Sequence, residues 1–176
     1  ETVRRVKWDR REGRIAATIE ERLGVVVLSK RAFTASHEET VPIVCDVIRS
    51  SPDRTLTFGS TARQFQCRVA LLRELFPEES WPDLSDNHLT TGPEVWLLPW
   101  LKEVRSLQDL SALDVLPALR AQLSRQQLRL LDARAPVALS VPSGHRIPLD
   151  YTSGNVPVLA VKLQEMFGLA DTPTIV

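Results

Sequence analysis

Residues 141–169 read VPSGHRIPLDYTSGNVPVLAVKLQEMFGL, and the interpretation of the whole chain starts from them. Apolar residues occupy alternate positions on both sides of a Ser143-Gly144 turn. They are Val137, Leu139 and Val141 before the turn, and Ile147, Leu149 and Tyr151 after it. This alternation is typical of a β-hairpin with one apolar face.

A helix is predicted after this hairpin. A second turn at residues 152–155 leads to Pro157, and apolar residues then recur at three- and four-residue spacing, namely Leu159, Leu163, Met166 and Phe167. Proline suits the first turn of a helix because its missing N–H would be unpaired there. Glycine suits the end, since it adopts a left-handed cap without strain. We therefore expect the helix to begin at Pro157 and to end at Gly168.

Several segments of this chain resemble one known family. Pro142-Ser143-Gly144, RIPLDY at residues 146–151 and PVLAVKLQEMFGL at residues 157–169 are similar, in order, to the C-terminal region of HrpB, a family of bacterial DExH-box ATP-dependent RNA helicases. WPDLS at residues 81–85 and WLLPWL at residues 96–101 resemble the same family. The resemblance covers nearly the whole chain but not the motor. It implies an accessory part of a helicase, with ATP and Mg²⁺ bound by the parent's motor.

The chain opens with a pattern of antiparallel strands. Val6 and Trp8 alternate with charged residues, a polar turn follows at residues 9–13, and the alternation resumes at Ile15. Residues 23–28, LGVVVL, form a continuous apolar run rich in β-branched residues, which predicts a strand covered on both sides. We expect a three-stranded opening unit.

The middle of the chain predicts helices. Ser36 with Glu39 has the form of a capping box, although Pro42 makes a start near Thr40 an equal alternative. A second helix follows Ser60, and Ser124 with Gln127 has the form of another capping box.

These patterns predict an α+β fold with an antiparallel β-hairpin unit, a helical middle, and then a second β-hairpin and helix. We place an antiparallel β unit at residues 1–35 and a helical region with the C-terminal hairpin and helix at residues 36–176. One continuous domain is the alternative. The ends of the sequence suggest a fragment of a longer chain.

Composition and motifs exclude several functions. The 43% hydrophobic content supports a real core, and no apolar run approaches the roughly 20 residues of a membrane span. No Gly-Lys pair or Asp-Glu-x-His run occurs, so we predict no catalytic residues, no cofactor and no enzyme activity for this fragment. Two cysteines and three scattered histidines indicate no metal site, and a reduced, cytoplasmic location is expected. Ser143 and His145 are interpreted as turn residues, not as part of a triad.

Charge is distributed unevenly although the formal net charge is zero. Residues 1–31 contain nine Lys and Arg against five Asp and Glu, whereas residues 74–94 contain six acidic residues and no basic one. A basic hairpin can follow a phosphate backbone. The predicted nucleic-acid-binding residues are Arg5, Lys7, Arg10, Arg11 and Arg14, with Arg146 and Lys162 added from the family-like segments. The alternative is that these charges only protect a sheet from edge-to-edge pairing.

Two functions remain open at this stage. In the first, the chain supports the motor of an HrpB-like helicase and contacts RNA or another nucleic acid through phosphates. In the second, it is a structural or protein-interaction module that docks on the parent's own motor domains, or on another protein, without touching nucleic acid. A large exposed patch around Trp96 and Trp100 would favour the second function.

Overall fold

The computed structural model describes residues 1–154 and 156–162. Its strands are β1 (Thr2–Asp9), β2 (Arg14–Leu23), β3 (Val26–Ala32), β4 (Ala138–Ser140), β5 (Arg146–Asp150) and β6 (Val158–Leu159). Its α-helices are α1 (His37–Ser50), α2 (Pro52–Thr55), α3 (Ser60–Leu75), α4 (Asp86–Thr91), α5 (Pro93–Leu97), α6 (Leu107–Ser111), α7 (Leu116–Arg120) and α8 (Arg125–Arg134). Short 3₁₀ turns occur at Pro77–Glu79 and Leu98–Trp100. The mixed α+β class and the order of its parts are confirmed.

The chain forms two compact units. The first contains residues 1–57 and 87–118, and the second contains residues 58–86 together with the described residues from 119 onward. The first unit therefore combines the opening strands with helices that precede residue 58 and helices that follow residue 86 in the sequence. The division predicted between residues 35 and 36 stays a prediction. Within the described ranges, no helix has the length and apolar content that crossing a membrane requires.

The first unit is built on the predicted three-stranded antiparallel sheet, in the order β1-β2-β3. Val6 lies opposite Ala17 and Trp8 opposite Ile15, so the alternating apolar residues share one face. Gly13 has a φ of 61° in the β1–β2 turn, a conformation that glycine adopts without steric cost.

The apolar run at residues 23–28 is not covered within the described part of the chain, so that prediction is wrong. Gly24 forms a turn, and β3 is the outer strand of the sheet. Leu23 is 73% exposed, Val25 94% and Leu28 64%. A β-branched apolar run favours a strand, but it carries no information about what covers the strand. These residues, 23–28, are called the apolar hairpin below.

Helix α1 begins at His37, and Ser36 is its N-cap. This is the earlier of the two predicted starts. Glu39 N donates to Ser36 Oγ at 3.3 Å, and Ser36 N donates to the Glu39 carboxylate at 2.8 Å. Pro42 therefore lies inside the helix. The reciprocal capping bonds satisfy two otherwise unpaired donors, which favours this start over the one near Thr40.

Trp96 anchors the core around α5. Its Nε1 donates to the Leu89 carbonyl at 2.9 Å, and Trp96, Leu97 and Leu101 are buried. Trp100 is half-buried. The two rings therefore do not form the exposed patch that would have favoured the docking hypothesis, although Val95 and Leu98 are exposed beside them.

The second unit contains the predicted C-terminal hairpin. Strands β4 and β5 pair antiparallel with Leu139 opposite Ile147, and Gly144 has a φ of 85° in the turn. Strand β6 pairs with β5 and places Leu159 opposite Leu149. The helix does not begin at Pro157, because Val158–Leu159 is a strand that completes a small sheet. The remaining positions of that prediction, residues 163–168, lie outside the described residues.

A buried arginine joins α3 to the end of α8 within this unit. Arg68 is only 3% exposed. Its Nε donates to the Ala135 carbonyl at 2.6 Å, and its Nη2 donates to the Leu131 carbonyl at 3.4 Å and to Asp132 Oδ1 at 2.7 Å. A cation at a helix C-terminus satisfies carbonyls that have no partner within the helix. Arg68 therefore closes α8 and holds it against α3.

We expect Arg68→Met to lower the free energy of unfolding by about 2–3 kcal/mol, because buried carbonyls lose their donor while the apolar stem is largely kept. Urea unfolding measures the change. Arg73→Met on the same helix is the control, since the Arg73–Asp83 pair at 3.2 Å is half-exposed and such pairs contribute about 1 kcal/mol or less. Equal losses from both substitutions would contradict the capping role.

Asp150 gives a pH-dependent contribution to stability. The Ser153 hydroxyl, the Thr152 hydroxyl and N–H, and Gln64 Nε2 all donate to its carboxylate, and these bonds, led by that of Ser153, hold the pKa of Asp150 well below its usual value. A lowered folded-state pKa stabilises the fold above the unfolded-state pKa of about 3.9, and this stability is lost as the pH falls toward the folded-state pKa. Asp150→Asn should therefore be less stable than the parent at pH 7, with the difference narrowing below about pH 4. Urea midpoints at pH 7, 5 and 3 test this, and a difference independent of pH would contradict it.

Candidate nucleic-acid interface

The turn between β1 and β2 is fixed by its own side chains. Asp9 Oδ1 accepts from Glu12 N at 3.1 Å and from Arg11 N at 2.9 Å, and these backbone bonds lower the pKa of the Asp9 carboxyl. Asp9 is therefore charged near neutral pH and holds the turn closed. The backbone of Arg10 and Arg11 is presented in one conformation.

The turn is also attached to a second segment of the same unit. Leu107 N donates to the Gly13 carbonyl at 2.8 Å, and Ile15 N donates to the Arg105 carbonyl at 2.7 Å. A Cβ atom at Gly13 would lie 3.1 Å from Leu107 Cδ1, so glycine also permits this close approach. The end of the turn that leads into β2 is thus held by residues 105–107.

The strand register places three predicted binding residues on one face. Arg5 lies opposite Thr18, Lys7 opposite Ala16, and Arg14 opposite Asp9. Directly opposed residues in an antiparallel pair point to the same side. All three side chains are exposed, on the side opposite to Trp8.

Two of these residues are already paired with carboxylates. Arg14 Nε donates to Glu12 Oε2 at 2.6 Å. Arg5 Nε lies 3.9 Å from Glu20 Oε2, and Glu20 is buried to 6% exposure. Arg22 Nη2 lies 2.7 Å from Glu20 Oε2, and Lys30 Nζ lies 3.7 Å from Glu20 Oε1. The Arg22 hydrogen bond is the main reason that the pKa of Glu20 is lowered. Arg5 and Arg14 therefore offer less uncompensated charge than their sequence positions suggest.

Three candidates form no direct ion pair among the described residues, although the charges of Lys7 and Arg11 help to lower the pKa of Asp9. Lys7, Arg10 and Arg11 are exposed, and in residues 1–154 and 156–162 no carboxylate lies within 4.0 Å of their charged atoms. These three residues are called the turn cations below. They are brought together by the end of β1 and the turn that follows it.

The two candidates taken from the family-like segments lie elsewhere. Arg146 is exposed at the start of β5, opposite Ser140, and Lys162 is exposed after β6. Both belong to the second compact unit, whereas the turn cations belong to the first. Neither residue is one of the turn cations.

A groove beside the turn is lined by a further cation, Arg54, which was not among the predicted binding residues. The groove has a volume of about 690 Å³ and is lined by Val6, Lys7, Trp8, Arg10, Ile43, Asp46, Val47, Ser50, Ser51, Arg54 and Leu107. All of these residues belong to the first unit. Arg54 lies in α2, more than forty residues after Arg10, so a count of local charge cannot associate it with the hairpin.

Other reactive side chains lie outside this groove. Ser143 Oγ lies 3.3 Å from His145 Nδ1, and both residues are exposed in a tight turn. Residues two positions apart in such a turn are expected to lie this close. Cys45 and Cys67 are free thiols, and burial raises the pKa of each. Among the described residues, no group of three or more His, Cys, Asp or Glu side chains is arranged to hold a metal ion.

Comparison with known proteins shows what the chain is similar to. The family described as ATP-dependent helicase C-terminal, HrpB_C, matches residues 96–176. ATP-dependent RNA helicase HrpB of Escherichia coli strain K12 is 34% identical over 171 residues, which are 97% of this chain and 21% of that protein. The chain thus spans about a fifth of the length of this relative.

Solved structures agree with the sequence comparison. Two crystal structures, one of the Escherichia coli DEAH/RHA helicase HrpB and one of the E. coli DExH-box NTPase HrpB, each match with a TM-score of 0.77 and 33% identity. Each match covers 99% of this chain and 22% of the solved chain. The resemblance to the C-terminal region of HrpB is therefore confirmed, with residues 96–176 matching the HrpB C-terminal helicase family.

Proposed function

We propose that this chain is the accessory C-terminal region of an HrpB-like ATP-dependent RNA helicase and that it contacts RNA through phosphates at the β1–β2 turn. ATP hydrolysis, ATP and Mg²⁺ belong, in this proposal, to the motor of the parent protein. A cytoplasmic location is part of the same proposal. The family match and the similarity to a protein named as an RNA helicase support it.

The observation that carries the RNA contact is that the turn cations, Lys7, Arg10 and Arg11, are exposed and form no direct ion pair with a carboxylate of the described residues. A cation already paired with a carboxylate gains little from a phosphate, because the existing partner must first be displaced. An exposed, unpaired cation releases counterions from the nucleic acid when it binds, which is the main source of sequence-independent affinity. The Asp9 bonds hold the turn in place, so little conformational entropy is lost on binding.

The second candidate function is docking on the motor of the parent. A different observation favours it, namely the apolar hairpin at residues 23–28, where five of the six residues are exposed aliphatic side chains. Contiguous apolar surface of this kind marks interaction sites, and an outer strand can pair with a strand of a partner. The two functions do not exclude each other, because they use different residues of the sheet.

The RNA contact is tested by replacing Arg10 and Arg11 together with glutamine. Each phosphate contact to a single strand contributes about 0.7 to the slope of log K against log salt, so the double variant should lose about 1.4 from that slope. Fluorescence anisotropy of a labelled single-stranded RNA, measured from 20 to 200 mM salt, gives the slope. Arg5→Gln with Arg14→Gln is the matched control and should change the slope less.

An unchanged slope in the Arg10 and Arg11 variant would contradict the proposed contact. Absence of any RNA binding at low salt by the parent chain would contradict it as well.

Docking through the apolar hairpin is tested by Val25→Ser combined with Leu28→Ser. Both side chains are exposed, so the free energy of unfolding should change by less than about 0.5 kcal/mol. Co-purification with a separately produced HrpB-like motor should fall if the hairpin docks there. Val95→Ser, which changes an exposed valine elsewhere in the first unit, should leave co-purification intact. Retention of the motor by the hairpin variant would contradict docking at this surface.

A further inference from the structure

We propose that the groove beside the β1–β2 turn binds one nucleotide of a single-stranded RNA, with its base against Trp8 and its flanking phosphates at Arg10 and Arg54. This inference rests on the proposed function and deepens it. It converts a contact at an exposed turn into a defined subsite, and it assigns two residues, Trp8 and Arg54, that the predicted binding set did not include.

Five of the residues that line the groove are apolar and incompletely covered. Trp8 and Val6 from β1 line it together with three residues from other segments, namely Ile43, Val47 and Leu107. Each of these five residues is half-buried, so part of each side chain still faces solvent. A flat, apolar group that enters the groove removes this surface from water, and an indole ring gives a base a surface on which to stack.

The rim of the groove is cationic. Arg10 and Arg54 line the groove, both are exposed, and no carboxylate in the described part of the chain lies within 4.0 Å of their charged atoms. Lys7 also lines the groove, but its side chain leaves β1 on the face opposite to Trp8. Asp46 is the acidic residue among the lining side chains, and Arg49 Nη1 already donates to it at 2.7 Å. The groove therefore selects for a ligand that combines an aromatic plane with negative charge.

The size of the groove agrees with this chemistry. Pockets for small ligands have volumes of about 300–1,000 Å³, and the groove falls within that range at about 690 Å³. Both a nucleotide within a strand and a free nucleotide present a base and a phosphate. We assign an RNA strand, not a free nucleotide, as the ligand. The reason is that Arg11 extends the cationic surface beyond the groove, where the next phosphate of the RNA would lie.

The test uses the whole 176-residue chain and three probes: an oligouridylate of eight nucleotides, UMP and ATP. Tryptophan fluorescence reports contact at the groove, and Trp8→Phe shows which part of the quenching comes from Trp8, since the chain contains four tryptophans. Anisotropy of the labelled octamer gives the affinity. The variants are Arg54→Gln and Trp8→Leu, with Lys102→Gln as a control at an exposed cation of the first unit that does not line the groove.

We expect the octamer to quench Trp8 and to bind more tightly than UMP or ATP. Trp8→Leu should weaken octamer binding roughly fivefold or more, as the loss of one stacked base does, whereas Trp8→Phe should restore most of the affinity. Arg54→Gln should lower the salt slope by about 0.7. Lys102→Gln should change neither quantity.

Three results would overturn the inference. Octamer binding that is weakened by Arg11→Gln but not by Arg54→Gln or Trp8→Leu would reject the groove and leave the proposed function standing. Equal or tighter binding of UMP or ATP would reject an RNA strand as the occupant. A parent chain that binds none of the three probes at low salt would reject both the groove site and the RNA contact.

Discussion

The antiparallel pairing of β1 with β2 is the constraint on which the candidate surface depends. Its register places Lys7 and Trp8 on opposite faces, and a slip of one residue would exchange them. Asp9 closes the turn and Gly13 supplies the left-handed conformation that the turn requires. Strand β2 then separates the turn from the apolar hairpin by ten residues, or roughly 30 Å. One sheet therefore presents a basic surface at one end and an apolar surface at the other.

Electrostatics within the sheet decide how much of the basic charge is available. The first 31 residues have an excess of four positive charges, yet Glu20 alone is approached by Arg5, Arg22 and Lys30. Glu12 pairs with Arg14, and Arg4 donates to Glu39 while stacking over the Phe33 ring. The turn cations, in contrast, form no direct ion pair among the described residues.

Local patterns were predictable from sequence, and non-local ones were not. The hairpins and the capping boxes at Ser36 and Ser124 were confirmed, because turn residues and caps act over three or four positions. Residues 23–28 were predicted to be buried on both faces of the sheet, and this was wrong. A run of aliphatic residues does not show whether other segments pack on it. Val158–Leu159 was assigned to a helix, because its spacing fits one and its pairing with β5 is a tertiary contact. Arg54 was missed for the same reason, since only the fold brings it to Arg10.

The central claim is that the β1–β2 turn and the adjoining groove are an RNA-binding surface. The most direct test is to map backbone amide chemical shifts of the chain during titration with single-stranded RNA at low salt. We expect the largest shifts at residues 6–12, 43–54 and 107, with the shifts diminishing as salt is added. Shifts confined to other residues, or no shifts at all, would contradict it.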